Sequence, residues 1–185
     1  MSALAQLEGV TLHRGGRTLL EGFSLSVDPG EAVLLTGPNG RGKSSLLRLV
    51  AGLLDKHGGR VDAVDVALAD ERLALDSERE LAKALSFWTG MDGGDAMAAL
   101  DAMGLGGLGH IPVRYLSTGQ RQRARLARVI ASPAKLWLLD EPINALDGDG
   151  RDRLAKAIGV HRGDGGGVLA ASHVTLGPDW REVAL

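Results

Sequence analysis

Residues Gly37-Pro38-Asn39-Gly40-Arg41-Gly42-Lys43-Ser44 combine glycines, a lysine and a hydroxyl at the spacing G-x-x-x-x-G-K-[ST], which suits phosphate binding. Glycine has no Cβ and tolerates positive φ, so Gly37, Gly40 and Gly42 let the backbone close around an anion. Successive N–H groups then form a nest, and a helix starting at Ser45 adds the positive end of its dipole. Lys43 reaches the β- and γ-phosphates of a nucleotide, and Ser44 offers its hydroxyl to Mg²⁺. The loop needs a strand before it and a helix after it. Residues 32–36 are a short apolar run, and residues 45–50 read as that helix. The competing reading is a glycine turn that ends in Lys-Ser by chance, in a chain with 27 glycines among 185 residues.

A second apolar run, Leu136-Trp137-Leu138-Leu139, ends in Asp140-Glu141-Pro142. A buried parallel strand would deliver both carboxylates to its carboxyl end, where open α/β sheets bind ligands. Asp140 is placed to hold Mg²⁺, and Glu141 to polarise an attacking water. A strand followed by an acidic helix start would look the same. Another strand, residues 168–171, ends at Ser172-His173.

Leu116-Ser117-Thr118-Gly119-Gln120 resembles the signature loop LSxGQ of the ABC (ATP-binding cassette) ATPases, a more specific string than the glycine loop. His173, 33 residues after Asp140, looks like the switch histidine of that family. Asn144-Ala145-Leu146-Asp147 resembles its D-loop, usually SALD. The resemblance runs from Leu4 to His173. It implies an ATPase using ATP and Mg²⁺, with Gly37 to Ser45 as the nucleotide loop. It also implies a head-to-tail homodimer in which Ser117 and Gly119 of one copy meet the γ-phosphate held by Lys43 of the other. Ser117 and Thr118 are good N-caps, so the residues themselves place a second helix N-terminus there.

Within the family, the run Ile111 to Gln120, the stretch Leu85-Ser86-Phe87-Trp88 and the segment Ala134 to Pro142 are similar to the haem-exporter ATPases of cytochrome c maturation. That branch implies integral membrane permease subunits of the haem-exporter type and a peripheral place on the cytoplasmic side of the bacterial inner membrane. It implies no direct haem binding by this chain. Another small bacterial exporter, or a soluble DNA-repair ATPase of the superfamily, is the alternative. The latter carries long heptad insertions, and here about seventy residues separate the glycine loop from the signature without heptads. Two departures stand out. The glutamine expected after the strand near Val66 is missing, and Asp70 or Glu71 stands in its place. The aromatic platform for adenine is missing too, and Arg14 or His13 is left to stack on the base.

Composition bounds the rest. No apolar run approaches the ~18–20 residues of a membrane span, and no basic-then-apolar leader opens the chain, so cytosolic residence is the default. The absence of cysteine excludes disulfides, thiolate metal sites and covalent haem attachment. Net charge is −2, which gives no basic field for nucleic acid. Arg121, Arg123, Arg125 and Arg128 read as a solvated helix face. Trp88, Trp137 and Trp180 read as packing residues. His57, His110 and His161 read as exposed, without metal spacing.

The pattern of elements predicts an α/β fold. It is a P-loop NTPase core of the ABC ATPase type, with an N-terminal antiparallel β subdomain and a helical subdomain inserted. The whole chain, 1–185, reads as one domain, with the core over 1–69 and 133–185 and the helical part over 70–132. Helices are expected over residues 77–88 and 94–103, a glycine connector over 104–109, and a loop over 163–167. With twelve residues beyond His173, no C-terminal regulatory domain is expected.

Overall fold

A computed structural model describes residues 3–185. They fall into two units. The first runs to Asp70 and resumes over Ala134–Glu141 and His161–Leu185; the second takes Glu71–Pro133 and Pro142–Val160.

In the first unit, alternation of apolar and polar residues makes β1 (Ala5–Arg14) and β2 (Arg17–Val27) an antiparallel hairpin. Gly15 and Gly16 both take positive φ at its tip, as a tight right-twisted turn requires. A register shift between Leu7 and Val10 lets both point inward although they are three residues apart. β3 (Ala32–Thr36) follows, then the glycine loop and α1 (Lys43–Val50). β4 (Gly58–Ala63) adds to the other side of β1, so the sheet order is β2-β1-β4.

The second sheet of this unit contains β5 (Val66–Ala69), β6 (Leu136–Asp140), β7 (Gly167–Ala171) and β8 (Arg181–Ala184) together with β3. Its order is β5-β6-β7-β3-β8 and every pairing is parallel. β6 and β7 are buried at every position, which is why they read as unbroken apolar runs. α1 packs on β6 and β7 through Leu46 and Leu47, both fully buried. Each such side chain contributes roughly 1.5–3 kcal/mol. Because all five strands run the same way, their carboxyl ends share one edge. β8 was not expected from the sequence. Arg181 holds it by donating to the Glu31 carboxylate and, at 2.6 Å, to the Ser26 carbonyl.

The second unit is helical: α2 (Leu81–Asp92), α3 (Ala96–Ala102), α4 (Thr118–Ile130) and most of α5 (Gly148–Gly163). α2 starts four residues later than the pattern suggested. Residues 77–80 pair instead with the segment before the signature, through Val113 N to Arg79 O at 3.0 Å and a bridge between Glu80 and Pro112. α2 also continues past Trp88 to a C-cap at Gly93, φ 81°. Asp95 caps α3 by accepting from Ala98 N at 3.0 Å. The four arginines of α4 are not one solvated face. Arg125 is 8% exposed, and Arg128 lies over the Trp88 ring at 5.1 Å. Arg123 is paired with two aspartates, and Arg121 alone of the four is exposed.

Candidate functional site

The glycine loop leaves the carboxyl end of β3 and turns into α1. Gly37, Gly40 and Gly42 have φ of 124°, 81° and 101°. A Cβ at Gly37 would lie 2.7 Å from the Leu185 carbonyl oxygen, and one at Gly42 3.1 Å from Leu19 Cβ. At Gly40 nothing lies within 4 Å, so only its backbone angle asks for glycine. Gly42 is the N-cap of α1. No side chain caps that helix and its first turn carries no acid. Its N–H groups and dipole are therefore available to an anion. Lys43 is 7% exposed; its ammonium reaches back across the loop to the carbonyls of Gly37 (2.6 Å) and Pro38 (3.2 Å). Pro38, Asn39, Gly40 and Arg41 form the exposed rim, and Ser44 is half-buried. Arg14, at the end of β1, donates to Ser45 Oγ at 3.2 Å, which brings the hairpin tip against the first turn of α1. His13 is engaged elsewhere: Nδ1 lies 2.9 Å from Thr18 Oγ1, and its backbone N–H faces His57 Nδ1 at 3.3 Å.

β6 and β7 bring two more groups to the same edge. Asp140 ends β6 and is 9% exposed. Glu141 follows at φ 46°, with its N–H bonded to the Ala171 carbonyl at 2.8 Å. A non-glycine residue in that region costs on the order of 1–2 kcal/mol, and the ladder bond to β7 helps hold it there. The turn brings Glu141 Oε1 within 3.2 Å of His173 Nε2, both partly exposed. Asp70, after β5, is ion-paired with Arg48 of α1 at 3.2 Å. Ser44, at the start of α1, and Asp140, at the end of β6, each carry a hard oxygen. That suits Mg²⁺, which takes one or two protein ligands and fills its shell with water and phosphate oxygens. No cluster of three or more His, Cys, Asp or Glu suited to a metal occurs among the described residues.

The signature residues lie in the second unit. Leu116 is buried, and Ser117 is the N-cap of α4. Ser117 Oγ accepts from Gln120 N at 3.2 Å, and Gln120 Oε1 accepts from Ser117 N at 2.8 Å, a complete capping box. The hydroxyl keeps its own proton for donation. Thr118 is exposed. In the Asn144–Asp147 segment, Asn144 is exposed, Ala145 has φ 61° and Leu146 is buried. Asp147 accepts from Gly150 N at 2.9 Å and from Arg123. The Gly150 amide and the Arg123 guanidinium hold the Asp147 carboxyl below its usual range. The Arg153 hydrogen bond, and then Arg123, do the same for Asp149. Burial opposes the charge on Arg123, but hydrogen bonds to both aspartates outweigh it and raise its pKa. Sequence reading missed Arg123 because nothing in a run of arginines says which one meets an acid 24 residues away.

His161 corrects another expectation. It is half-buried and stacks on Trp137, with ring centroids 3.9 Å apart and planes 9° from parallel. Burial holds its pKa below the usual value. His57 and His110 are exposed. Trp137 is a core residue; Trp88 and Trp180 are half-buried, and Trp88 Nε1 donates to the Ala74 carbonyl at 2.9 Å. Among the described residues no helix is long and apolar enough to cross a membrane.

The family model described as ABC transporter matches residues 20–144. The chain is 50% identical to the "Cytochrome c biogenesis ATP-binding export protein CcmA" of Sphingopyxis alaskensis, over all of this chain and 98% of that one. It is 51% identical to the protein of the same name from Novosphingobium aromaticivorans, over 90% of this chain and 87% of that one. A solved structure described as an ATP binding subunit of an ABC transporter superposes with a TM-score of 0.85 at 22% identity, covering 92% of this chain and 80% of that chain.

Proposed function

The chain belongs to the ABC transporter family, and from that premise we propose that it hydrolyses ATP to ADP and phosphate to drive a membrane export complex of cytochrome c maturation. The observation that supports hydrolysis best is the Glu141–His173 pair, placed at the same sheet edge as the uncapped start of α1 and Lys43. The relatives' shared name supports the pathway.

In this reading the loop amides from Gly37 to Ser45 and the Lys43 ammonium bind the triphosphate, and Arg14 stacks against the base. Ser44 and Asp140 would hold Mg²⁺, which when bound neutralises charge on the β- and γ-phosphates. Glu141 orients the attacking water and takes its proton, and His173 steadies the carboxylate and meets the γ-phosphate. Two copies pair head to tail, so that Leu116 to Gln120 and Asn144 to Asp147 of one copy complete the site of the other. The whole chain acts as one ABC ATPase domain. It docks on permease subunits of the haem-exporter type at the cytoplasmic face of the bacterial inner membrane. It binds neither haem nor nucleic acid.

Glu141→Gln removes the base but keeps the shape. It should bind ATP, lose on the order of 10²–10⁴ in turnover and accumulate an ATP-bound dimer. An unchanged rate would sink the base assignment. The same variant, used in ATP as bait in detergent-solubilised cells, should recover a small integral membrane protein with cytochrome c maturation factors. Recovery of an unrelated permease would discard the pathway and keep the chemistry.

A further inference from the structure

Gly119, Gln122 and Arg123 stand at i, i+3 and i+4 of α4, so they share one face of the helix. All three meet the segment that leads into α5. A Cβ on Gly119 would lie 3.2 Å from the Ala145 carbonyl oxygen. Gln122 Nε2 donates to the Pro142 carbonyl at 2.8 Å. Arg123 donates to Asp147, to Asp149 at 2.9 Å and to the Met103 carbonyl at 3.4 Å. Gly150 seals the far side. A Cβ there would lie 3.0 Å from Asp147 Oδ1 and 3.1 Å from Arg123 Nε. The Arg123 side chain is 14% exposed, while Asp147 and Asp149 are 68% and 57% exposed, so the guanidinium is tucked inward and its two acids face solvent.

We propose that Arg123 is a positioning residue that, with Gln122, fastens the Asn144–Asp147 loop to the signature helix, so that both elements reach a partner copy's nucleotide as one rigid piece. The planar fork of arginine fixes the directions of its donors and so holds two carboxylates in one geometry, where lysine offers a rotatable point charge. The positive φ of Ala145 shows what is being held: a loop shape that an alanine does not choose alone. The inference rests on the head-to-tail reading above.

The test uses the full chain with Glu141→Gln, whose ATP-bound dimer is followed by analytical ultracentrifugation as ATP is titrated. Adding Arg123→Ala should raise the ATP concentration for half-dimerisation on the order of tenfold, and Arg123→Lys should restore part of it. Binding of a fluorescent ATP analogue to the monomer, which reports the glycine loop, should change by less than about twofold. Asp147→Asn, which breaks the pair from the other side, should shift the curve the same way, and the double variant should add little to either. A dimerisation curve unmoved by Arg123→Ala and Asp147→Asn overturns the inference. If Arg123→Ala loses the fluorescent nucleotide, Asp149→Asn decides instead, since Asp149 holds Arg123 at 2.9 Å and lies outside the segment assigned to the partner's site; an unmoved curve overturns the inference. Failure of the Glu141→Gln parent to dimerise in ATP overturns the head-to-tail reading itself, and the inference with it.

Discussion

Two helices in this chain begin at residues assigned to one nucleotide, and they treat their first N–H groups in opposite ways. α1 starts from Gly42 with no side-chain cap and no acid in its first turn. α4 starts from Ser117 inside a closed capping box with Gln120. The first leaves its dipole and donors to whatever anion arrives. The second satisfies its own backbone and keeps a hydroxyl proton and a close glycine to offer. In the proposed reading the uncapped helix binds, and the capped one is presented in a fixed shape. A site that closes between two copies needs both: one strong anchor, and one surface that holds its geometry before the partner is there.

The largest effect should come from the anchor. Lys43→Ala should lower turnover on the order of 10²–10³ and abolish binding of a fluorescent ATP analogue. The melting temperature should hardly move, since the ammonium's partners are carbonyls of its own loop. Retained nucleotide binding in that variant would remove the contrast between the two helix starts. Gly42→Ala comes next. It places an alanine at φ 101° with its Cβ against Leu19, and should cost about 1–3 kcal/mol of stability in a chemical melt. Gly40→Ala, with open space around it, should cost less. Equal losses at the two positions would show that the close approach to Leu19 is not felt.

How much of this was legible beforehand differs between the same two regions. The anchor is a local matter. Strand, glycines, lysine and helix are consecutive, and the strand-end carboxylates Asp140 and Glu141 announce themselves by ending an apolar run. The cap is also local: of the two candidates, Ser117 takes the N-cap position and Thr118 opens the helix. What sequence did not disclose was non-local. Arg123 looked solvated until Asp147 and Asp149 folded beside it. His161 looked exposed until the chain turned it onto Trp137. Residues 77–80 have helix-forming composition, yet pairing with residues 112–114 takes their backbone bonds. β8, four residues long with its polar side chains mostly outward, lacks the apolar run that marked its neighbours.

A smaller effect separates the two roles of the capped start. Ser117→Ala removes an acceptor from Gln120 N and should cost about 1 kcal/mol, visible as a lower melting temperature without ATP. Ser117→Thr keeps the acceptor and should restore most of it. If both variants melt like the parent, the capping box contributes nothing and the serine is retained only for the nucleotide.

The smallest effect concerns acid, and it follows from what each region is made of. The start of α1 is held by glycine backbone and carries no carboxylate in its first turn, so protonation has nothing to undo there. The segment after the signature helix is held by Asp147 and Asp149, whose pKa values lie below the ordinary carboxylate range because of the Gly150 amide and the guanidinium groups of Arg153 and Arg123. A carboxylate depressed in the folded state adds stability that is complete above its unfolded pKa, near 4, and is lost as pH falls through the lower folded value. Asp147→Asn removes that charge at every pH. The parent should therefore melt above the Asp147→Asn variant at about pH 6, and the gap should narrow toward about pH 3 as the parent's own carboxylates protonate. A gap that stays constant over that interval would mean that Asp147 is held by its hydrogen-bond shape and not by its charge, which would leave Arg123 as a steric strut and weaken the difference drawn here between a backbone-built anchor and a charge-built presenting surface.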